Sequence, residues 1–200
     1  MEKTLIINGS PRGEGNTAYL IGRLKERLTG EVIEVSAFRA GIAPCVDCRS
    51  CWKTARCAVR DEMDILYADD FDRVVLASPV YFSTLPAPVL GLMSRFQPQH
   101  AAQFFLHKPI KPRPKKGGLI LTAGGKGNEE GARHHIRVLM MLLNAGGYDE
   151  HTVRSLRTDT VPANEDIKAL EEVERLAVWL NAPFEGEEYT PEYSIAGKKG

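Results

Sequence analysis

Residues 4–17 read TLIINGSPRGEGNT, a short apolar run followed directly by a glycine-rich loop. The run from Thr4 to Asn8 is apolar and β-branched, which is typical of a strand buried on both faces of a parallel sheet. Apolar side chains then recur at helical spacing from Thr17 to Leu28. A strand, a glycine loop and a helix in immediate succession indicate an α/β fold.

The alternation of strands and helices continues along the chain. Further strands are predicted at residues 31–35, 72–77, 118–122 and 148–153. Further helices are predicted at residues 61–68, 86–96, 130–144 and 164–180. The pattern predicts a doubly wound five-stranded parallel sheet of the flavodoxin-like order 2-1-3-4-5, with helices on both faces. Sheets of this kind bind ligands at the carboxyl ends of their strands.

The length of 200 residues fits one domain with appendages better than two domains. We expect one domain over residues 1–181, with a cysteine-rich loop at 44–58, an irregular proline-rich and basic insertion at 97–116, and a polar tail or subunit-contacting arm at 182–200. Basic and acidic residues number 26 each, so the charge balance does not indicate nucleic-acid or membrane-surface binding. The first apolar run, Leu5-Ile6-Ile7, is too short for a secretion signal or a membrane span, and a cytoplasmic location is expected.

The glycine loop carries groups that suit a phosphate monoester. Its glycines let backbone N–H groups approach a ligand closely, and the following helix points its positive dipole end at the same place. The candidate binding residues are Ser10, Arg12, Gly15, Asn16 and Thr17. Asn16 stands where an NTPase loop needs lysine, and the three glycines of a G-x-G-x-x-G dinucleotide loop are missing. The alternative interpretation is a glycine-rich turn with a helix cap and no ligand.

Two further loops follow predicted strands at the same edge of the sheet. Residues 78–84 read SPVYFST, in which Tyr81 and Phe82 offer flat apolar faces to a ring system. Residues 122–127 read TAGGKG, whose glycines again allow close backbone approach. Taken singly, the first loop is better explained as a buried aromatic pair, and the second is equally well explained as a flexible turn. Together the three loops predict a flavin mononucleotide (FMN) site with a phosphate cradle, a ring face and a glycine-rich wall.

The sequences GSPRGEGNT, SPVYF and TAGG after strands one, three and four resemble the NADPH-dependent FMN reductase family, over roughly residues 3–150. The resemblance implies that the phosphate of FMN is held by Ser10, Arg12, Asn16 and Thr17. It also implies that the flavin ring is lined by Pro79, Val80, Tyr81, Phe82, Thr122, Gly124 and Gly125. A homodimer or homotetramer, in which neighbouring subunits help to complete the flavin site, follows from the same resemblance. Of the lysine and Asp-Arg pattern that the family often carries after SPVYF, only Arg95 is present.

All four cysteines lie in one short segment, as Cys45, Cys48, Cys51 and Cys57. Clustered cysteines in a reducing compartment favour a metal or redox role over disulfides, and the C-x2-C-x2-C start is similar to ferredoxin-type [4Fe–4S] ligation. The segment also resembles the motif of iron–sulfur flavoproteins, a branch of the same family, as does the following Asp61-Glu62-Met63. A four-cysteine zinc site and free or disulfide-switching thiols are the alternatives.

The sequence therefore predicts an FMN-dependent oxidoreductase that takes hydride from NAD(P)H and passes electrons to a quinone, a flavin or another acceptor. No acid–base residue is assigned, because the chemistry belongs to the cofactor. One alternative is an iron–sulfur flavoprotein electron carrier with FMN and a [4Fe–4S] cluster, fed by a ferredoxin-like protein. Another alternative is a thiol-based redox sensor that uses the cysteine loop as its switch.

Overall fold

A parallel sheet forms the centre of the computed structural model, which describes residues 1–126 and 128–184. Its strands are β1 (Lys3–Asn8), β2 (Glu31–Ser36), β3 (Arg73–Pro79), β4 (Lys115–Ala123), β5 (Ala145–Gly146) and β6 (Thr152–Leu156). The order is β2-β1-β3-β4, and both β5 and β6 pair with β4. Because β5 pairs with the first two residues of β4 and β6 with its last five, they form one interrupted edge strand. The predicted order 2-1-3-4-5 is confirmed.

Helices cover both faces of the sheet, as predicted. They are α1 (Asn16–Lys25), α2 (Cys51–Thr54), α3 (Asp64–Ala68), α4 (Ala87–Ser94), α5 (Gln97–Phe104), α6 (Glu130–Leu143) and α7 (Ile167–Asn181). Successive side chains of a strand point to opposite faces. Accordingly, Ile6 and Val75 pack with α1 and α7, whereas Leu5, Ile7 and Val74 pack with α3, α4 and α6. Burial on both faces explains why these strands read as continuous apolar runs.

The segment 97–116, predicted to be an irregular insertion, has regular structure at both ends. Helix α5 carries Pro98 in its first turn, where the missing N–H of proline is tolerated. Strand β4 begins at Lys115 because both of its buried lysines find partners. Lys115 Nζ lies 2.5 Å from Asp69 Oδ1, and Lys116 Nζ donates to the Trp179 carbonyl at 2.7 Å. The prediction of irregular structure was therefore wrong except for residues 105–114.

Three other predicted boundaries differ from the structure. The last strand begins at Thr152 rather than at residue 148, after a turn in which Gly147 has a φ of 77°. The closing helix begins at Ile167, where the Asp166 carboxylate accepts a hydrogen bond from Ala169 N at 3.1 Å. Asp61 forms a turn ahead of α3, accepting from Met63 N at 3.1 Å. Residues 185–200 of the predicted tail lie outside the described residues. Within those described, no helix combines the length and apolar character that crossing a membrane requires.

Candidate functional site

The glycine loop runs from the end of β1 to the start of α1. No side chain fits at Gly9, because a Cβ there would stand 2.7 Å from Ser78 Oγ and 2.8 Å from Val89 Cγ2. The buried Ser10 accepts a hydrogen bond from Arg12 N at its Oγ, at 3.2 Å. Gly15 precedes the first residue of α1, and no side chain caps this helix. The N–H groups of its first turn are thus left for another acceptor, which suits an anion.

The three loops singled out from the sequence surround one cavity of about 230 Å³. The predicted residues that line it are Ser10, Arg12, Gly15, Asn16, Thr17, Pro79, Val80, Tyr81, Thr122 and Gly124. Phe82 and Gly125 are not among the lining residues. Phe82 is instead fully exposed, and its φ of 49° places it in the left-handed region. The structure therefore brings most of the predicted residues together and turns Phe82 outward.

Hydrogen bonds between the loops fix the walls of this cavity, which we call the loop cavity. Thr17 Oγ1 and Thr122 Oγ1 form a buried hydrogen bond of 2.8 Å between the first and third loops. Val80 N donates to the Thr122 carbonyl at 2.8 Å, which joins the second and third loops. Asn16 Oδ1 accepts from Ala163 N at 2.9 Å. The side-chain oxygen of Asn16 is therefore engaged within the protein, which leaves its N–H groups for a ligand.

Two residues of the loop cavity, Thr158 and Asp159, were missed by the sequence analysis. They follow β6, and their backbone N–H groups donate to the carbonyls of Ala123 and Gly124 at 2.9 and 3.3 Å. A Cβ on Gly124 would stand 2.4 Å from Asp159 Oδ2, so a larger residue there requires the Asp159 side chain to move. Ligands bind at the carboxyl ends of parallel strands, and this holds for β6 as well. Thr158 and Asp159 were missed because this strand was predicted to end at residue 153.

The four cysteines of the cysteine loop, residues 44–58, line a second cavity of about 30 Å³, which we call the thiol cavity. Cys51 is buried, Cys57 is half-buried, and Cys45 and Cys48 are exposed. Burial raises the pKa of Cys51, and the three other thiols raise this pKa further. The loop thus gathers its thiols around a common space.

These thiols do not yet form a finished ligand set. Within residues 1–126 and 128–184, no three His, Cys, Asp or Glu side chains form a group that could hold a metal ion as placed. Side chains can line a common cavity without being close enough to bind one metal ion. Zinc ligation, for example, requires every sulfur to lie about 2.3 Å from the ion. Ligation therefore requires the four thiols to move closer together.

The cysteine loop has an unusual backbone that packing holds in place. Three of its residues other than glycine have left-handed φ values of 50–58°: Asp47, Arg49 and Ala55. Such values are uncommon for side-chain-bearing residues and persist where the surroundings enforce them. Helix α2 lies in a segment that was predicted to be a loop, and it stacks Trp52 on Phe105 with 4.1 Å between ring centroids. Cys45 N donates to Ser94 Oγ at 2.9 Å. The loop is thus built against α4 and the end of α5.

Arg95 closes the base of the cysteine loop. Its side chain is fully buried, and Nη1 lies 2.6 Å from Asp61 Oδ2. Nη1 also donates to the Ala43 carbonyl at 2.8 Å and Nη2 to the Val59 carbonyl at 3.2 Å, so one guanidinium holds both ends of the loop. Burial alone would raise the pKa of Asp61, but the hydrogen bonds from Arg95 help to hold it below its usual value. Asp61 is therefore a charged partner at neutral pH.

Comparison with known proteins gives three findings. The family model of NADPH-dependent FMN reductases matches residues 3–153. An iron–sulfur flavoprotein of Methanocaldococcus jannaschii is 31% identical over 129 residues, covering 62% of this chain and 63% of that protein. One of Archaeoglobus fulgidus is 30% identical over 142 residues, covering 68% of this chain and 62% of that protein. The chain thus spans less than two thirds of the length of these relatives.

Among solved structures, an FMN-dependent NADH-azoreductase from Bacillus anthracis in complex with FMN has the same fold. Its TM-score is 0.64 at 17% sequence identity, and the superposition covers 91% of this chain and 100% of that chain. At this identity the likeness concerns the fold alone. It agrees with the sheet order and with the two-sided helical cover described above.

Proposed function

Because this chain belongs to the NADPH-dependent FMN reductase family, we propose that it is an FMN-dependent oxidoreductase that binds its flavin in the loop cavity. The observation that supports this site best is its lining, which includes every predicted FMN-binding residue except Phe82 and Gly125. Another, larger cavity elsewhere in the molecule has no glycine among its lining residues. Size alone therefore does not identify the flavin site.

The phosphate end of FMN fits the glycine loop. The uncapped first turn of α1 presents N–H groups and a positive dipole end, and there is no acidic residue in that turn. Arg12 is exposed at the rim of the cavity and adds a cation, while Ser10 adds a hydroxyl. Thr17 joins the loop to Thr122 through its hydroxyl, and in the first turn of α1 it remains a candidate contact of the phosphate.

The ring end of FMN fits the walls formed by Pro79, Val80, Tyr81, Thr122 and Gly124. Tyr81 is 43% exposed and offers an apolar face, and Gly124 lets the backbone come close. When bound, FMN supplies the hydride and electron chemistry. The protein positions the ring, and its fixed loops limit how the ring can move. We propose NAD(P)H as the donor and a quinone, a free flavin or a bound cluster as the acceptor.

Two measurements test this proposal. We expect the purified full chain to bind one FMN per chain, seen as quenching of flavin fluorescence on titration. We also expect the yellow colour of the complex to bleach when NADPH is added without air and to return with a quinone. A protein that leaves flavin fluorescence unchanged would contradict the flavin site. A flavin complex that NADPH and NADH both fail to bleach would contradict the reductase activity and point to another electron donor.

Exposed aromatic side chains at the mouth of the loop cavity support a homodimer or homotetramer. Phe82 is fully exposed beside Tyr81, although burying a phenylalanine side chain is worth about 1.5–3 kcal/mol. We expect light scattering to show an oligomer. The Phe82→Ser substitution should raise the dissociation constant of this oligomer about tenfold. Val178→Ser, which removes an exposed apolar side chain from α7, is the matched control. A monomeric wild-type chain would contradict the proposal, as would equal effects of the two substitutions.

We also propose an iron–sulfur cluster in the cysteine loop, as a second function of the same protein. Its support is the convergence of all four cysteines on the thiol cavity and the enforced left-handed backbone around them. A [4Fe–4S] cluster, when bound, transfers single electrons. The protein would supply thiolate ligands and hold both ends of the loop through Arg95.

Metal analysis after anaerobic purification tests the cluster. We expect about four iron and four sulfide per chain, with a broad absorption band in the visible range. Cys51→Ser is expected to remove most of this iron, whereas the neighbouring Ser50→Ala keeps it. Zinc in place of iron would contradict the cluster and favour a structural site. A metal-free protein that forms a reversible disulfide in the loop would favour the thiol switch instead.

A further inference from the structure

A cavity of about 380 Å³ lies apart from the loop cavity and shares no lining residue with it. Its walls come from the end of the cysteine loop, from α3, from the start of α5, from the end of α6 and from residues 110–112. Cavities of about 300–1,000 Å³ are the usual size for small-molecule sites. The family resemblance assigns no ligand to this place.

The floor of the cavity is apolar and partly flat. The apolar residues of its lining include Leu66, Tyr67, Phe96, Pro98, Ile110 and Leu143. Leu66, Phe96 and Leu143 are buried, so they form a firm base. Ile110 is 44% exposed, an apolar side chain left open to solvent beside that base. Aromatic and proline rings on such a floor suit a flat apolar ligand.

The rim of the cavity carries an excess of positive charge. Three exposed cations line it, Arg56, Arg60 and Lys111. Two carboxylates also line it, but each has a basic partner. Asp69 Oδ1 lies 2.5 Å from Nζ of the buried Lys115, and Asp64 Oδ1 lies 3.6 Å from Arg60 Nη1. The side chains of Arg56 and Lys111 have no carboxylate partner in the described part of the chain. An anionic group at this rim would therefore be attracted.

We propose that this cavity binds a flat aromatic anion, meaning a fused-ring compound that carries one sulfonate or carboxylate group. The apolar floor takes the rings, and Arg56 and Lys111 take the charge. Cys57 and Pro98 line both this cavity and the thiol cavity. A ligand here therefore lies against the outer side of the cysteine loop, on the wall that Cys57 forms. The site is independent of the flavin site.

Calorimetric titration of the FMN-loaded full chain with naphthalene-2-sulfonate tests the proposal. We expect one saturable site per chain and no change in the visible spectrum of the flavin. The double variant Arg56→Gln with Lys111→Gln should raise the dissociation constant about tenfold. The control pair Lys168→Gln with Arg175→Gln removes the same charge from exposed positions on α7 and should change this constant less than twofold. Neutral 2-naphthol should bind the wild type and both double variants equally.

Three results would overturn the site. These are no saturable binding of the sulfonate, equal weakening by the two double variants, and release of FMN when the sulfonate is added. FMN binding is measured first on the same preparation. If it fails, the proposed flavin function is contradicted, and the titration with the sulfonate is still decisive for this cavity because the two sites share no residue.

Discussion

The free energy of unfolding is expected to fall by about 3–5 kcal/mol when Arg95 is replaced by methionine, because a buried pair loses one partner. Asp61 is left in a site that exposes only 13% of its side chain, and the carbonyls of Ala43 and Val59 lose their donor. Urea denaturation at neutral pH measures the change. At neutral pH the Asp61 carboxylate is charged in the folded and in the unfolded protein. Because the pKa of Asp61 is lowered in the folded state, the stability that the pair contributes is lost only in acid, as the pH falls through that lowered pKa.

Two control variants separate the buried pair from a general effect of losing an arginine. Arg133→Met removes a 45% exposed partner of Glu129 and is expected to cost less than about 1 kcal/mol. Adding Asp61→Leu to Arg95→Met should recover part of the lost stability, since the stranded charge is removed as well. If Arg95→Met costs no more than Arg133→Met, the guanidinium does not hold the cysteine loop as described.

Arg12→Glu is expected to weaken FMN binding by about a hundredfold, because it replaces the cation proposed to face the phosphate with a carboxylate. Arg12 is exposed and has no side-chain partner within the described residues, so the folded state should be unaffected. Fluorescence titration with FMN measures the affinity. Riboflavin, which has the same ring and no phosphate, should bind the variant and the wild type alike.

The matched control for this charge reversal is Arg175→Glu, which changes the net charge equally at an exposed position on α7. It should leave the FMN affinity within about twofold at moderate ionic strength, since distant surface charges are screened. Equal losses of riboflavin and FMN affinity in Arg12→Glu would mean that Arg12 acts on the ring or on the fold. The glycine loop would then need another phosphate partner.

The sheet order and the composition of the loop cavity were predictable because both follow from local signals. Buried parallel strands read as apolar runs, and ligand loops follow strand ends, so Ser10, Tyr81 and Thr122 were found together. Helix α5 was missed because proline suggests irregular structure when its position in the first turn is unknown. The early start of β4 was missed because a lysine can be buried only if partners distant in sequence, such as Asp69, are supplied.

The ion pair at the base of the cysteine loop could not be predicted from local sequence either. Arg95 was singled out only as a remnant of a family pattern, and Asp61 was placed at the start of a helix. Their ion pair joins residues 34 positions apart, and neither local spacing nor composition reports such a contact. Thr158 and Asp159 were missed for a simpler reason, since an error of a few residues in one strand boundary moved the strand end.

The way in which the cysteine loop is anchored has a consequence for how the rest of the fold tolerates changes in the loop. The chain leaves the fold at Ala43 and returns to it at Val59, and both points are held by one side chain from α4–α5. Residues 44–58 neither form a strand nor line the loop cavity. Sequence changes within this segment are therefore expected to leave the sheet and the loop cavity as they are.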